Sequence, residues 1–73
     1  MNTISMEKFT ARLKELRNDK NLSQADLANL TGLTQGAIAY WETGQRIPNA
    51  KAIIILARFF DVSTDYLLGE KDY

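Results

Sequence analysis

The sequence predicts an all-α fold, a five-helix orthogonal bundle that makes a single domain of residues 1–73 with its core at about 6–69. Two observations carry this prediction. Apolar residues recur at helical spacing in successive segments, with charged residues between them. Residues that start helices (Ser, Thr or Asn) precede the segments, and glycine or the single proline separates several of them.

The first helix is expected over residues 6–20, where three apolar residues recur on one face. They are Phe9, Leu13 and Leu16. Ser5 or Thr3 is the candidate N-cap. A connection over residues 18–22 is expected to follow.

The second helix is expected over residues 24–31. Ser23 is suited to cap it, and Asp26, three residues later, completes the pattern of a capping box. Gly32 ends the helix, because glycine tolerates the positive φ that a helix terminus often needs.

The third helix is expected over residues 35–42, after the N-cap Thr34. Ile38 and Trp41 lie three residues apart on one face, so we expect both in the core. Gly44 follows the last periodic residue as a C-terminal stop.

Two more helices complete the bundle. Asn49 is suited to cap a helix over residues 50–60, after a loop that contains the only proline. Ser63 is suited to cap a short helix over residues 64–68, which Gly69 ends.

Composition excludes several classes of function. The chain has no cysteine and no histidine, so disulfide bonds, the usual zinc sites and histidine-based catalysis are excluded. No motif places a base beside Ser23 or Thr34, which are explained as caps. We therefore expect no enzyme activity, no catalytic residue, no cofactor and no metal. No apolar run approaches a membrane span and no signal peptide is seen, so we expect a cytoplasmic protein with no membrane partner.

Residues 22–44 contain a helix, a short turn with glycine and a second helix, which is the DNA-binding helix-turn-helix pattern. Twelve of them resemble the phage repressor and Cro family of helix-turn-helix regulators (xenobiotic response element type): Leu22, Ser23, Gln24, Leu27, Ala28, Gly32, Thr34, Gln35, Ile38, Trp41, Glu42 and Gly44. The resemblance covers about residues 8–69. It implies a sequence-specific transcriptional regulator, a repressor, that binds a double-stranded DNA operator as a homodimer.

The helix at about 35–42 is the expected reader of the major groove, because recognition helices of this kind contact base edges with their first residues. The expected base contacts lie on the face away from the core: Thr34, Gln35, Gly36, Ala39 and Tyr40. Gln35 suits adenine, and a methyl of Thr34 or Ala39 suits thymine. The face carries no Arg or Lys, which disfavours guanine recognition by this helix.

The expected phosphate contacts flank that helix: Gln24, Gln45, Arg46, Asn49 and Lys51. Gln24 opens the second helix, where unpaired backbone N–H groups and the helix dipole favour an anion. The alternatives left open are a solvated polar residue at position 24 and a solvated loop at 45–46.

The charge distribution is a test for this interpretation, since nucleic-acid-binding domains are often basic. The net charge is zero and the pI is about 6.1. Residues 1–20 carry five basic and three acidic side chains, whereas residues 61–73 carry four acidic and one basic. Such a chain neutralises few phosphates per monomer, which predicts modest non-specific affinity and a need for dimerisation.

Two further expectations follow from the resemblance. Glu42 is poorly placed for its own helix dipole, and the family pattern pairs it with Arg17 in a structural ion pair. Small members of the family pair through the last helix and the loop before it, here Ser63, Thr64, Tyr66 and Leu67, with Ile55 and Phe59 as neighbours.

The helix at 50–60 leaves one question open because it is apolar on nearly all sides. Either Ile4 and Met6 fold over its second face, or another subunit covers it. The near-neutral charge also keeps an alternative function open, an antitoxin-like or protein-interaction module of the same fold that holds a partner on this helix.

Overall fold

The computed structural model describes residues 4–73, so the candidate cap Thr3 lies outside the described residues. Across that range the chain forms five helices and no strand, which confirms the predicted all-α class. The helices are α1 (Glu7–Asp19), α2 (Gln24–Thr31), α3 (Gln35–Thr43), α4 (Ala50–Phe60) and α5 (Thr64–Leu68). None of the helices within residues 4–73 is long and apolar enough to cross a membrane.

Side chains cap four of the five helices, as their sequence predicts. The side-chain oxygens of Ser23, Thr34, Asn49 and Ser63 each accept a hydrogen bond from the backbone N–H three residues later. The capping box at the start of α2 is complete, because the Asp26 carboxylate also accepts from the Ser23 N–H at 2.9 Å. The helix bounds therefore follow from local chemistry.

The first helix differs slightly from the prediction, being one residue shorter at each end. Met6 occupies the N-cap position, where its side chain makes no capping bond. The Ser5 hydroxyl accepts instead from the backbone N–H of Glu7, at 3.2 Å.

One core lies between the helices, with α1 packing on α3 and α5, and α2 packing on α3 and α4. Its buried apolar residues are Phe9, Leu13, Leu27, Ala28, Ile38, Trp41, Ala52, Ile53, Leu56, Ala57, Phe60 and Leu67. Trp41 is therefore a core residue, as its spacing with Ile38 predicts. The core holds the start of α3 at the surface and its last turn inside.

The second face of α4 is partly covered within the described chain. Ala52 is buried, whereas Ile55 and Phe59 are half-buried, and the Phe59 ring meets that of its neighbour Phe60 with centroids 5.0 Å apart. Ile4 is 83% exposed and does not cover this face, so the expectation that Ile4 and Met6 fold over it is wrong for Ile4. Met6 packs against the core.

Arg12 holds residues 69–73 against α1. It donates through Nη1 to the carbonyl oxygen of Tyr66 and, at 2.8 Å, to that of Lys71. Its Nη2 lies 3.4 Å from a carboxylate oxygen of Asp72, and its guanidinium carbon lies 4.1 Å from the centroid of the Tyr66 ring. One basic side chain thus joins α1, α5 and the acidic segment that follows α5.

Gly69 ends α5 at a point where the backbone comes very close to α1. Its φ is 86°, in the left-handed region, and a Cβ added there would lie 2.5 Å from the Cβ of Lys8. Gly32 has a similar φ of 77° at the end of α2, but an added Cβ there meets no atom within 4 Å.

We expect Gly69→Ala to lower the free energy of unfolding more than Gly32→Ala does. Both changes carry the left-handed penalty of about 1–2 kcal/mol for a residue with a Cβ. Only Gly69→Ala adds a collision with Lys8. Urea unfolding measures both variants, and equal losses would show that Lys8 moves aside at no cost.

Candidate nucleic-acid interface

The exposed face of α3 begins with its cap. Thr34, Gln35, Gly36 and Tyr40 are exposed, whereas Ala39 is half-buried. Their positions are fixed from behind by Ile38 and Trp41, both of which the core encloses. The expected base contacts therefore lie on the outer side of α3, and among them only Ala39 is partly covered.

Gly36 has no role in the fold that would require glycine. Its φ lies outside the left-handed region, and a Cβ added there meets no protein atom within 4 Å. The missing side chain therefore leaves open space in front of the first turn of α3. A DNA backbone or base edge can approach the helix closely at this point.

Four of the expected phosphate contacts follow α3. Gln45, Arg46 and Asn49 lie in the loop and Lys51 lies in the first turn of α4, and all four are exposed. The Oδ1 of Asn49 is occupied, because it accepts at 2.8 Å from the N–H of Ala52 as the cap of α4. Its NH₂ group remains a donor suited to an anion.

Gln24 starts α2 as expected, but its side chain is turned toward Glu42. Its Nε2 donates to a carboxylate oxygen of Glu42 at 3.2 Å, and the residue is half-buried. The first backbone N–H groups of α2, those of Gln24 and Ala25, have no acceptor within the helix, whereas that of Asp26 is bonded to the Ser23 hydroxyl. An anion at this helix start would therefore meet the two free N–H groups beside the Asp26 carboxylate of the capping box.

Arg17 and Glu42 form a bidentate ion pair between α1 and α3. Arg17 Nε and Nη2 donate to the two carboxylate oxygens of Glu42 at 2.7 and 2.8 Å. Nη1 of the same guanidinium donates at 2.7 Å to the carbonyl oxygen of Leu22, just before α2. The side chains are 13% and 2% exposed, so this is a buried pair. No buried side-chain polar atom within residues 4–73 lacks a hydrogen-bond partner.

The charge state of Glu42 follows from two opposing effects. Burial raises the pKa of its carboxyl, but hydrogen bonds from Arg17 and Gln24 and the charges of Arg17 and Lys14 outweigh burial. The pKa of Glu42 therefore lies below its usual value, and the hydrogen bond to Glu42 raises the pKa of Arg17. Glu42 stabilises the fold above its unfolded pKa, and this contribution is lost as pH falls through the lower folded pKa.

Sequence reasoning missed a contact between Tyr40 and Arg46. The guanidinium carbon of Arg46 lies 4.9 Å from the centroid of the Tyr40 ring. The sequence holds only a weak signal for it, namely an aromatic residue and an arginine separated by the helix stop Gly44. The conformation of the loop decides that the two side chains meet.

The surface expected to pair two subunits is only partly available. Thr64 is exposed, and Tyr66, Ile55 and Phe59 are half-buried. Leu67 is 0% exposed, because it lies in the core of its own chain. The expectation that it contributes to a dimer interface is therefore wrong. One face of the Tyr66 ring is covered by a guanidinium from α1.

A catalytic or metal centre finds no support in the geometry. Residues 4–73 hold no cluster of Asp, Glu, His or Cys that is suited to a metal ion. Glu42, the buried acid, is committed to its ion pair and to Gln24.

Comparison with known proteins places the chain in a family. A helix-turn-helix family matches residues 13–67, which include all of α2, α3 and α4. The chain belongs to the helix-turn-helix family of Cro/C1-type regulators. This confirms the resemblance to the repressor and Cro family that twelve residues of the sequence indicate.

Two solved structures share the fold over most of their length. The restriction-modification controller protein C.AhdI from Aeromonas hydrophila has a TM-score of 0.75 and 42% identity, with 82% of this chain and 91% of that chain covered. The P22 c2 repressor in complex with a synthetic operator has a TM-score of 0.79 and 28% identity, covering 86% and 96%. Both are helix-turn-helix neighbours of this chain.

Three relatives that were found by sequence comparison are longer than this chain. The HTH-type transcriptional activator BcrR of Enterococcus faecalis is 36% identical over 64 residues, which are 88% of this chain and 31% of BcrR. The chain spans between 31% and 56% of the length of BcrR and two Bacillus subtilis regulators of this type.

We expect Arg17→Met or Glu42→Gln alone to lower the free energy of unfolding by about 3–5 kcal/mol, because each leaves a buried charge without its opposite charge. The double variant should lose little more than either single one. Denaturant unfolding of the four proteins measures this coupling. Additive losses would show that the two side chains do not stabilise each other.

The exposed pair of Lys71 and Asp65 is a matched control, since its atoms lie 3.6 Å apart and both side chains are about half-exposed. Lys71→Met should cost less than about 1 kcal/mol. Acid gives a second check. The coupling between Arg17 and Glu42 should shrink as protonation of Glu42 removes its charge.

Proposed function

We propose that this chain is a sequence-specific transcriptional regulator that binds a double-stranded DNA operator through α3 and represses the gene beside it. One observation carries the proposal, the similarity to the P22 c2 repressor, which was solved on a synthetic operator. The exposed face at the start of α3 supports it. Because BcrR is called an activator, a reporter gene placed behind the selected operator measures the sign of regulation.

Bases are read by the first turn of α3 in this proposal. The Gln35 amide bonds N6 and N7 of adenine in a bidentate way, and the Thr34 or Ala39 methyl contacts a thymine methyl. Gly36 lets the DNA come close. Because this face holds no cation, the operator positions under it are rich in A·T pairs.

The DNA backbone is held on both sides of α3. Arg46 and Lys51 neutralise phosphates, while Gln45 and Asn49 donate neutral hydrogen bonds. At the start of α2 the backbone N–H groups and the dipole bind a phosphate. Gln24 contributes there through its place at the helix start, with its amide bonded to Glu42.

The protein acts on DNA as a homodimer in this proposal. One helix-turn-helix reads about half a site, and half-sites recur about 34 Å apart, so two-fold symmetry matches a palindromic operator. The paired surface contains Thr64, Tyr66, Ile55 and Phe59. Such a surface is small, so we expect a dimer that forms chiefly on DNA.

The remaining parts of the proposal follow from DNA binding. A regulator of this family is not an enzyme, and it works in the cytoplasm, where its operator lies. An antitoxin-like or protein-interaction module is the alternative, and it is not favoured, because the relatives and structural neighbours are transcription regulators and repressors.

We expect Gln35→Ala to change base preference and Arg46→Ala to leave it unchanged. Loss of the Gln35 amide removes about 1–3 kcal/mol of discrimination at one position. Loss of the Arg46 charge lowers the affinity for all sequences about equally, and it reduces the slope of log affinity against log salt by about one. Selection from randomised duplexes, followed by binding measurements over a salt series, tests both variants.

The wild-type salt series is also the test of the function itself. A clear negative slope of log affinity against log salt on random duplex is the expected result. Absence of binding at low salt would overturn the proposed regulator function and favour the partner-binding alternative. A reordered base preference in Arg46→Ala would overturn only the assignment of roles.

We expect Thr64→Glu to abolish cooperative binding to an operator with two half-sites, while affinity for one half-site is kept. The carboxylate puts an uncompensated charge in the paired surface, and it suits the first turn of α5, so the fold is preserved. Sedimentation with and without operator measures the result. Ala11→Glu, on the exposed face of α1, is the control that should still dimerise on DNA.

A further inference from the structure

We infer that Tyr40 is a positioning residue that holds the Arg46 guanidinium for a phosphate, rather than a reader of bases. This inference rests on the proposed DNA binding. Its basis is the placement of the Arg46 guanidinium carbon 4.9 Å from the Tyr40 ring centroid, within the range of a cation–π contact.

The backbone after α3 brings the two side chains together. Gly44 adopts a left-handed φ of 78°, so the chain turns back at the end of the helix. The N–H of Gln45 and the hydroxyl of Thr43 both donate to the carbonyl oxygen of Tyr40, at 2.9 and 3.1 Å. The loop is thereby tied to the residue whose ring lies under Arg46.

Position 46 is held from the other side as well. Pro48 is buried, and the side chain of Asn49 caps α4. Arg46 therefore lies on a short segment between two fixed points. The segment fixes the backbone of Arg46, and the Tyr40 ring positions its guanidinium.

Arg46 forms no ion pair within the described chain. The ion pairs of residues 4–73 involve Arg12, Arg17 and Lys71, and Arg46 takes part in none of them. A flexible arginine loses rotamer freedom when it binds a phosphate, and a preformed contact reduces that loss. An aromatic ring leaves the N–H groups at the edge of a stacked guanidinium free to donate.

The same contact limits what Tyr40 does. The residue is 43% exposed, and the guanidinium covers part of its ring. The hydroxyl takes no part in the contact. Phenylalanine should therefore replace Tyr40 fully, whereas an aliphatic residue should not.

The test compares the wild type with Tyr40→Phe, Tyr40→Leu, Arg46→Ala and the double variant Tyr40→Leu/Arg46→Ala on operator and random duplex. Tyr40→Phe should bind within about twofold of the wild type. Tyr40→Leu should lower the affinity for both duplexes about two- to fivefold, which is the range of an exposed cation–π contact. Its base preference should be unchanged. The double variant should bind like Arg46→Ala, because the ring acts through the arginine.

Three results would overturn the inference while leaving the proposed function in place. One is a changed base preference in Tyr40→Phe, which would make the hydroxyl a reader. Another is an additive loss in the double variant. The third is equal binding by Tyr40→Leu and the wild type. A wild type that binds no duplex at low salt would overturn the proposed function, and the positioning role with it.

A measurement without DNA distinguishes the contact from its use. Ring currents of Tyr40 should shift the δ-methylene protons of Arg46 in NMR spectra. That shift should persist in Tyr40→Phe and vanish in Tyr40→Leu. A wild type with no such shift would overturn the preformed contact directly, and thermal unfolding by circular dichroism shows that each variant is folded.

Discussion

The buried ion pair of Arg17 and Glu42 determines how the two helices of the motif sit on the rest of the domain. Glu42 lies in the last turn of α3, where a carboxylate opposes the helix dipole and would be unstable alone. Arg17 reaches it from α1 and also holds the carbonyl oxygen that precedes α2. One guanidinium thus fixes α1, the start of α2 and the end of α3 together. Pairs of this kind contribute more to a defined arrangement than to net stability.

Helix bounds were largely predictable because their causes are local. Ser23, Thr34, Asn49 and Ser63 each bond a backbone group three residues away, so the signal and its effect lie in the same short segment. The exceptions are the two ends of α1, each one residue inside the prediction, and the end of α3, which runs one residue further to Thr43. The core position of Trp41 was equally readable from helical spacing.

Contacts between distant residues were not predictable from pattern alone. The sequence shows Leu67 as an apolar residue on a short helix, but only the packing of α5 on α1 shows which side is buried. Arg12 looked like one of several basic residues near the start, and the fold brings it to Asp72, sixty residues away. The contact of Arg46 with Tyr40 depends on the conformation of the loop, which the types of the two residues do not predict.

The capped helices have a consequence for the time that the domain spends unfolded. Most of its helices begin from signals within one turn, and distant parts are joined by the core, the buried ion pair and the contacts of Arg12. Chains dominated by such local contacts fold in microseconds to milliseconds. A molecule that opens therefore closes again faster than a protease cleaves it, so the cleavage rate follows the equilibrium fraction of open molecules and is set by the free energy of unfolding.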